Sequence, residues 1–285
     1  MSEQQYLDII QEILTTDGIQ TDRTGLGTKN IFGVQNKYDL KDGFPLLTTR
    51  FIALRIAFEE LMWILRGETD AKILQEKNIH IWDGNTSREF LNSRGFTHWQ
   101  EGQLGKGYGF QLRNFGGDFG NPNGFDQLAH ILKEIKTNPA SRRHYVSYWN
   151  PDQVLNEAAL PPCHISWYVQ INNGRLNLGW SQRSTDWLLG HPTNLAFYGM
   201  LLLILSKFSG FEPGVLLYQG QDVHLYSNQF DAATELLSKE IHSFPPVDIK
   251  KDLNSLQDIL ELKWEDIQLN NYKHSGKMKK VEMAV

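Results

Sequence analysis

The only cysteine of this 285-residue chain, Cys163, stands in the run Leu160-Pro161-Pro162-Cys163-His164, after a rigid Pro-Pro turn and before a strand-like segment. Cysteine attacks as the thiolate, so covalent chemistry at Cys163 needs an electropositive neighbour; without one, a lone cysteine is a small buried hydrophobe, and position alone favours that reading. The cluster Gln182-Arg183-Ser184-Thr185-Asp186 offers such a neighbour. Arg183 suits a phosphate or a thiolate, and Asp186 suits a heterocycle that donates hydrogen bonds; the plainer alternative is a solvated strand end. Arg142 and Arg143 suit an anion clamp or an ordinary basic surface. Neighbouring side chains on a strand face opposite ways, so the two arginines serve one anion only if the backbone bends there. Glu60 falls in a row with Ile56 and Ile64 at four-residue spacing, which turns it toward buried surface while Glu59 points outward. A carboxylate so placed costs several kcal/mol unless it is paired, neutral or functional, and it is a reasonable general acid or base. Asp222, His224 and Tyr226 alternate along a predicted strand and present three hydrogen-bonding groups to one side, facing a ligand or forming a polar strand edge.

These residues need elements to hold them. Tyr6, Ile9, Ile10, Ile13 and Leu14 recur at helical spacing before Gly18. The glycine-rich run DRTGLGT at 22–28 leads into a strand at 31–38. Residues 51–66 read as a long helix with Leu54, Ala57, Leu61 and Leu65 on one stripe, ending at Gly67. An amphipathic helix is expected at 125–136, a loop at 118–124 and a strand at 144–149. Strands at 165–171 and 175–182 flank Asn172-Asn173-Gly174, a hairpin turn. Residues 194–208 form an apolar core helix, capped by Asn194 and stopped at Gly210. A strand at 215–226 and a helix at 228–240 follow. Strands mixed with helices over 1–285, without repeats or linkers, indicate a single α/β (or α+β) domain.

Composition narrows the class. The chain is 40% hydrophobic, 12% aromatic and 21% charged, enough for a large core. A net charge of −5 gives no support to a nucleic-acid binder. A single cysteine excludes an intramolecular disulfide and fits a reducing compartment. The N-terminus has no signal-peptide pattern, and the longest apolar run, 195–205, is too short to span a bilayer, so a cytoplasmic protein is expected. Dispersed histidines predict no metal site, and there is no Walker or Rossmann glycine pattern.

Ten segments in order resemble the thymidylate synthase family over nearly the whole chain: DRTGLGT, EELMWILRG, IWDGNTSREFL, YGFQLR, SRRH, YWNP, LPPCH, QRSTDWLLG, HLYSN and the terminal EMAV. The resemblance implies an α/β fold with a large mixed sheet flanked by helices, packed sheet to sheet in a homodimer. It implies dUMP as substrate and 5,10-methylenetetrahydrofolate as co-substrate, with no metal, membrane or nucleic-acid partner. Cys163 matches the nucleophile that adds to C6, Glu60 the carboxylate that organises proton transfer, and Tyr108 the tyrosine near C5. Arg23 and Arg183 match phosphate ligands, with Arg183 also favouring the thiolate, and Arg142 and Arg143 match a pair reaching the partner's phosphate. Gln182, Ser184 and Asn194 match nucleotide contacts, His224 and Tyr226 those of the ribose. Asn194, rather than Asp, implies uracil over cytosine. Ile81, Trp82, Asn85, Leu160, Asp186, Leu189, Gly190, Thr193 and Val285 match the folate pocket.

The chain departs from the family pattern at Thr193 (for Phe), Ser181 (Tyr), Lys106-Gly107 (Pro-Val), Tyr168 (Gln), Gln221 (Gly) and Gln229 (His). A hydroxyl with space around it at Thr193 is able to hold a water. Reductive methylation to dTMP therefore stands first, hydroxymethylation to 5-hydroxymethyl-dUMP second, and an inactive nucleotide- or RNA-binding protein third.

Overall fold

The computed structural model describes residues 3–22 and 24–281, so Arg23 and Val285, both expected at the site, lie outside the described residues. Strands β1 (Thr28–Asp39), β2 (Tyr145–Ser147), β3 (His164–Asn172), β4 (Arg175–Asp186) and β5 (Glu212–Tyr226) form a mixed sheet in the order β1-β5-β4-β3-β2. All neighbours are antiparallel except β4 and β5, which run parallel. A parallel pair needs a crossover, and the helix Gly190–Ser209 provides it, packing on both strands. This is the expected mixed sheet flanked by helices.

The elements form for local reasons. Asn173 and Gly174, at φ of 50° and 75°, supply the left-handed conformation that the β3–β4 hairpin turn requires. Along β4 the inward side chains Leu176, Leu178 and Trp180 are completely buried. Helices α1 (Gln4–Thr15), α2 (Leu54–Leu65), α3 (Tyr108–Arg113), α4 (Gln127–Thr137), α5 (Gly190–Ser209) and α6 (Phe230–Leu236) surround the sheet. Helix α5 is apolar almost all round and sits in the core, with Leu195, Leu202 and Leu205 fully buried. It ends at Gly210, whose φ of 80° closes the last turn.

Several boundaries differ from the sequence expectation. Helix α2 begins at Leu54 because the tail captures the preceding backbone: Phe51 N donates to Gly276 O and Ile52 N to the Tyr272 hydroxyl. Helix α5 begins at Gly190, so Asn194 is not its cap. The Asp186 carboxylate instead takes the Leu189 N–H at 2.8 Å and turns the chain into the helix, which leaves the Asn194 amide for the site. The helix expected at 228–240 is only Phe230–Leu236, after a tight turn at Ser227–Gln229. Glu59 does not point outward: it is buried and ion-paired to Lys77 at 2.5 Å. No helix among the described residues is long and apolar enough to cross a membrane.

Candidate active site

At the C-terminal ends of β4 and β5 a cavity of about 300 Å³ opens. Cys163 reaches its wall from the Pro-Pro turn at the head of β3, half-buried rather than sealed in the core. Arg183 lies across the turn on β4. Its guanidinium donates to the carbonyls of Pro161 and Pro162, both at 2.9 Å, and its Nη2 stands 3.9 Å from the Cys163 sulfur. The backbone also ties the two, Arg183 N donating to Cys163 O at 2.9 Å. The positive neighbour that a thiolate requires is therefore held in place by main-chain oxygens.

Tyr108, first residue of α3, fixes the same turn from the other side. Its hydroxyl oxygen accepts from Cys163 N at 2.7 Å and His164 N at 3.3 Å. Burial holds this phenol well above its ordinary pKa, so the hydroxyl keeps its proton and is able to donate into the cavity. Glu60 borders the cavity from α2 and accepts one hydrogen bond, from Trp82 Nε1 at 3.0 Å. Burial raises its pKa from 4.5 to about 7, against the opposing pull of that indole. A carboxyl poised near neutrality is suited to proton transfer. The contrast with ion-paired Glu59, one residue earlier, shows that environment rather than residue type decides the role.

The remaining wall is polar toward β4 and β5. Gln182 Oε1 accepts from Trp180 Nε1 at 3.3 Å, with the Asn194 amide 3.5 Å away. Ser184, His224 and Tyr226 also line the cavity. Asp222 does not; it holds His224 Nδ1 at 2.8 Å, so the ring's Nε2 is the nitrogen left for a ligand. The lining also includes apolar Ile81, Trp82, Leu160 and Leu189, together with Gly190 and Asn85, and Asp186 at the end of β4 adds a carboxylate. These apolar surfaces and one carboxylate fit a flat heterocycle bearing N–H donors.

Two lining residues were not anticipated. Ile64 follows Glu60 by one helical turn in the very row that directed Glu60 inward. His164 adjoins Cys163; burial lowers its pKa to about 4, against a hydrogen bond with Asn194, so it is neutral near pH 7, and the Tyr198 hydroxyl meets its Nδ1 at 3.1 Å. Adjacency to the cysteine was the available signal for His164.

Thr193 is half-buried on α5 and is not among the cavity-lining residues. Arg142 and Arg143 are exposed and outside this cavity. They precede β2, which starts only at Tyr145, so the alternation rule that separated them does not apply. Three of the departures from the family pattern have clear local partners. Lys106 is buried and paired with Glu157 at 2.9 Å. The Tyr168 ring lies where a Cβ on Gly179 would stand, within 2.4 Å. Gln229 bonds Asp186 at 2.8 Å.

The family model for thymidylate synthase matches residues 4–285. The thymidylate synthase of varicella-zoster virus (strain Dumas) is 40% identical over 99% of this chain and 94% of its own length. The bifunctional dihydrofolate reductase-thymidylate synthase of Leishmania major is 43% identical over 99% of this chain and 55% of its own. That of Zea mays is 42% identical over 89% and 50%. The chain thus spans about half the length of these bifunctional relatives. With the family model covering nearly every residue, the chain belongs to the thymidylate synthase family.

Proposed function

We propose that this chain transfers a one-carbon unit from 5,10-methylenetetrahydrofolate to C5 of dUMP, with reduction to dTMP and release of dihydrofolate. The observation that carries the reading is the Cys163 sulfur on the cavity wall, 3.9 Å from a guanidinium fixed by the Pro161 and Pro162 carbonyls. The relative from varicella-zoster virus, named thymidylate synthase and matched over 94% of its length, supports it.

The residues divide the work. Cys163 adds to C6 of the pyrimidine, and the displaced electron pair makes C5 a carbon nucleophile. Asn194 and Gln182 hold the uracil edge; Arg183 and Ser184 hold the nucleotide with Arg23, and His224 and Tyr226 hold the ribose. The folate, when bound against Trp82, Ile81 and Leu189 with Asp186 at its polar edge, supplies the methylene carbon and the hydride. Glu60, with Tyr108, moves the C5 proton, after which Cys163 leaves C6 as the thiolate. Exposed Arg142 and Arg143 serve the phosphate site of a second copy in a homodimer. A reducing compartment such as the cytoplasm preserves the thiol.

Incubation with dUMP and 5,10-methylenetetrahydrofolate, followed by mass analysis, tests the reading. dTMP with dihydrofolate is expected. 5-Hydroxymethyl-dUMP with tetrahydrofolate would replace the reductive step by hydration. Binding of dUMP without any product would leave a nucleotide-binding protein. The dimer is tested by mixing Cys163→Ala with an Arg142→Ala/Arg143→Ala variant: activity restored in the mixture is expected, and none restored would remove the two arginines from a shared site.

A further inference from the structure

Gln229 is fully buried in the turn that follows β5, beyond the cavity wall. Its amide joins the ends of two neighbouring strands, Asp186 on β4 and Tyr226 on β5, both of which line the cavity. Nε2 donates to Asp186 Oδ2 at 2.8 Å, and Oε1 accepts from Tyr226 N at 3.2 Å. The other oxygen of Asp186 is taken by Leu189 N at 2.8 Å, so the carboxylate is gripped at both ends. The turn itself is anchored: Ser227 N donates to Gly27 O at 3.0 Å and Ser227 Oγ to Leu26 O at 2.7 Å. A primary amide is an uncharged side chain that offers both donor and acceptor on a rigid planar head, as this position demands.

We propose that Gln229 is a positioning residue that clamps the carboxylate of Asp186 to the backbone of Tyr226, and so sets the folate-facing acid against the nucleotide-facing strand end. The inference rests on the proposed function, since it assigns Asp186 to the folate and Tyr226 to the nucleotide. A carboxylate oxygen has more than one acceptor direction, so the bond from Gln229 orients Asp186 while leaving it able to take an N–H from a ligand.

The two bonds are separable by substitution. Gln229→Glu keeps an acceptor for Tyr226 N but loses the donor and sets a like charge beside Asp186. Gln229→Met fills similar volume and loses both bonds. Gln229→His, in the neutral tautomer with Nε2–H, restores one donor and one acceptor. Steady-state constants for both substrates should be measured in all three variants, with thermal unfolding as the control for folding.

For Gln229→Glu a rise in KM for the folate of at least about tenfold is expected, with KM for dUMP within about threefold of wild type. Gln229→Met should raise both constants. Gln229→His should hold the folate KM within about threefold of wild type at pH 8, and below pH about 6, where its second nitrogen is protonated and no longer accepts from Tyr226 N, the KM for dUMP should rise. Equal effects of Gln229→Glu on both substrates, or variants that match wild type while folded and active, would overturn the clamp alone. A wild-type protein that neither binds dUMP nor forms product would overturn the parent reading, and the clamp with it.

Discussion

The two sides of the cavity are built differently. The side that carries Gln182, Arg183, Ser184, His224 and Tyr226 is the end of the paired strands β4 and β5, in parallel register with Gln182 opposite Gly220 and Asp186 opposite His224. The side that carries Ile81, Trp82, Leu160 and Leu189 is made of turns and bends. On the first side a continuous backbone ladder sets each Cα, and side chains add only their final orientation. On the second, a few side-chain bonds do the positioning: Trp82 to Glu60, Lys106 to Glu157, and Leu189 N to Asp186, which reaches over from the end of β4. The ladder side should therefore tolerate single side-chain changes in position though not in chemistry, whereas the turn side should lose geometry when one tie is cut.

The substitution with the largest expected effect strikes the seam between the two sides. Cys163→Ala should lower kcat by more than about 10⁴-fold while dUMP affinity stays within about tenfold, measured by turnover and by calorimetry. Retained turnover would remove the nucleophile.

Glu60→Gln probes the acid tied to the turn side. It should cost about 10² to 10³ in kcat, and the bend in the pH–rate profile of the wild type near 7 should disappear. Stability offers an independent check. The folded protein holds this proton more tightly than the unfolded chain, because burial raises the pKa from 4.5 to about 7. The resulting stability is complete below about pH 4.5 and is lost as pH rises through about 7. Glu60→Gln should shrink that fall in melting temperature, and an identical fall in both proteins would place the titration elsewhere.

Asp222→Asn tests whether the ladder side depends on backbone alone. Loss of the carboxylate that holds His224 Nδ1 at 2.8 Å frees the ring to change tautomer. KM for dUMP should rise about five- to tenfold with kcat little changed; an unchanged KM would mean that the strand by itself fixes the ribose contacts. The smallest effect is expected at Lys106→Met, which cuts the tie between the approach to α3 and the Glu157 loop. Its acidic partners, Glu157 and Asp118, are substantially exposed, so the loss should be about 1 kcal/mol, read as a few degrees in melting temperature. No shift would show that the backbone bond from Lys106 N to Glu157 O suffices there.

The same division governs what could be read in the sequence. The strands and the hairpin were legible because alternation and Asn172-Asn173-Gly174 are local signals. Glu60 was legible because its row on α2 is apolar. Glu59 was not, since its partner Lys77 lies beyond the helix and no periodicity points to it. The start of α5 differs for a related reason: Asn194 stands immediately before the apolar run as a capping residue would, whereas the helix begins four residues earlier, where Asp186 at the end of a strand takes the Leu189 N–H. Arg183 and Cys163 were each ambiguous alone, because their proximity depends on how β3 and β4 pair. Gln229 was visible only as a departure from the family pattern, without its role.

The central claim is that the Cys163 sulfur bonds to C6 of the pyrimidine. A fluorine at C5 cannot leave as a proton, so 5-fluoro-dUMP with 5,10-methylenetetrahydrofolate should halt the reaction while that bond exists. Intact-mass and peptide analysis should then show one nucleotide per chain, carried on the peptide containing Cys163 and absent from Cys163→Ala. A turnover-competent protein with no such adduct, or with the adduct on another peptide, would contradict the account.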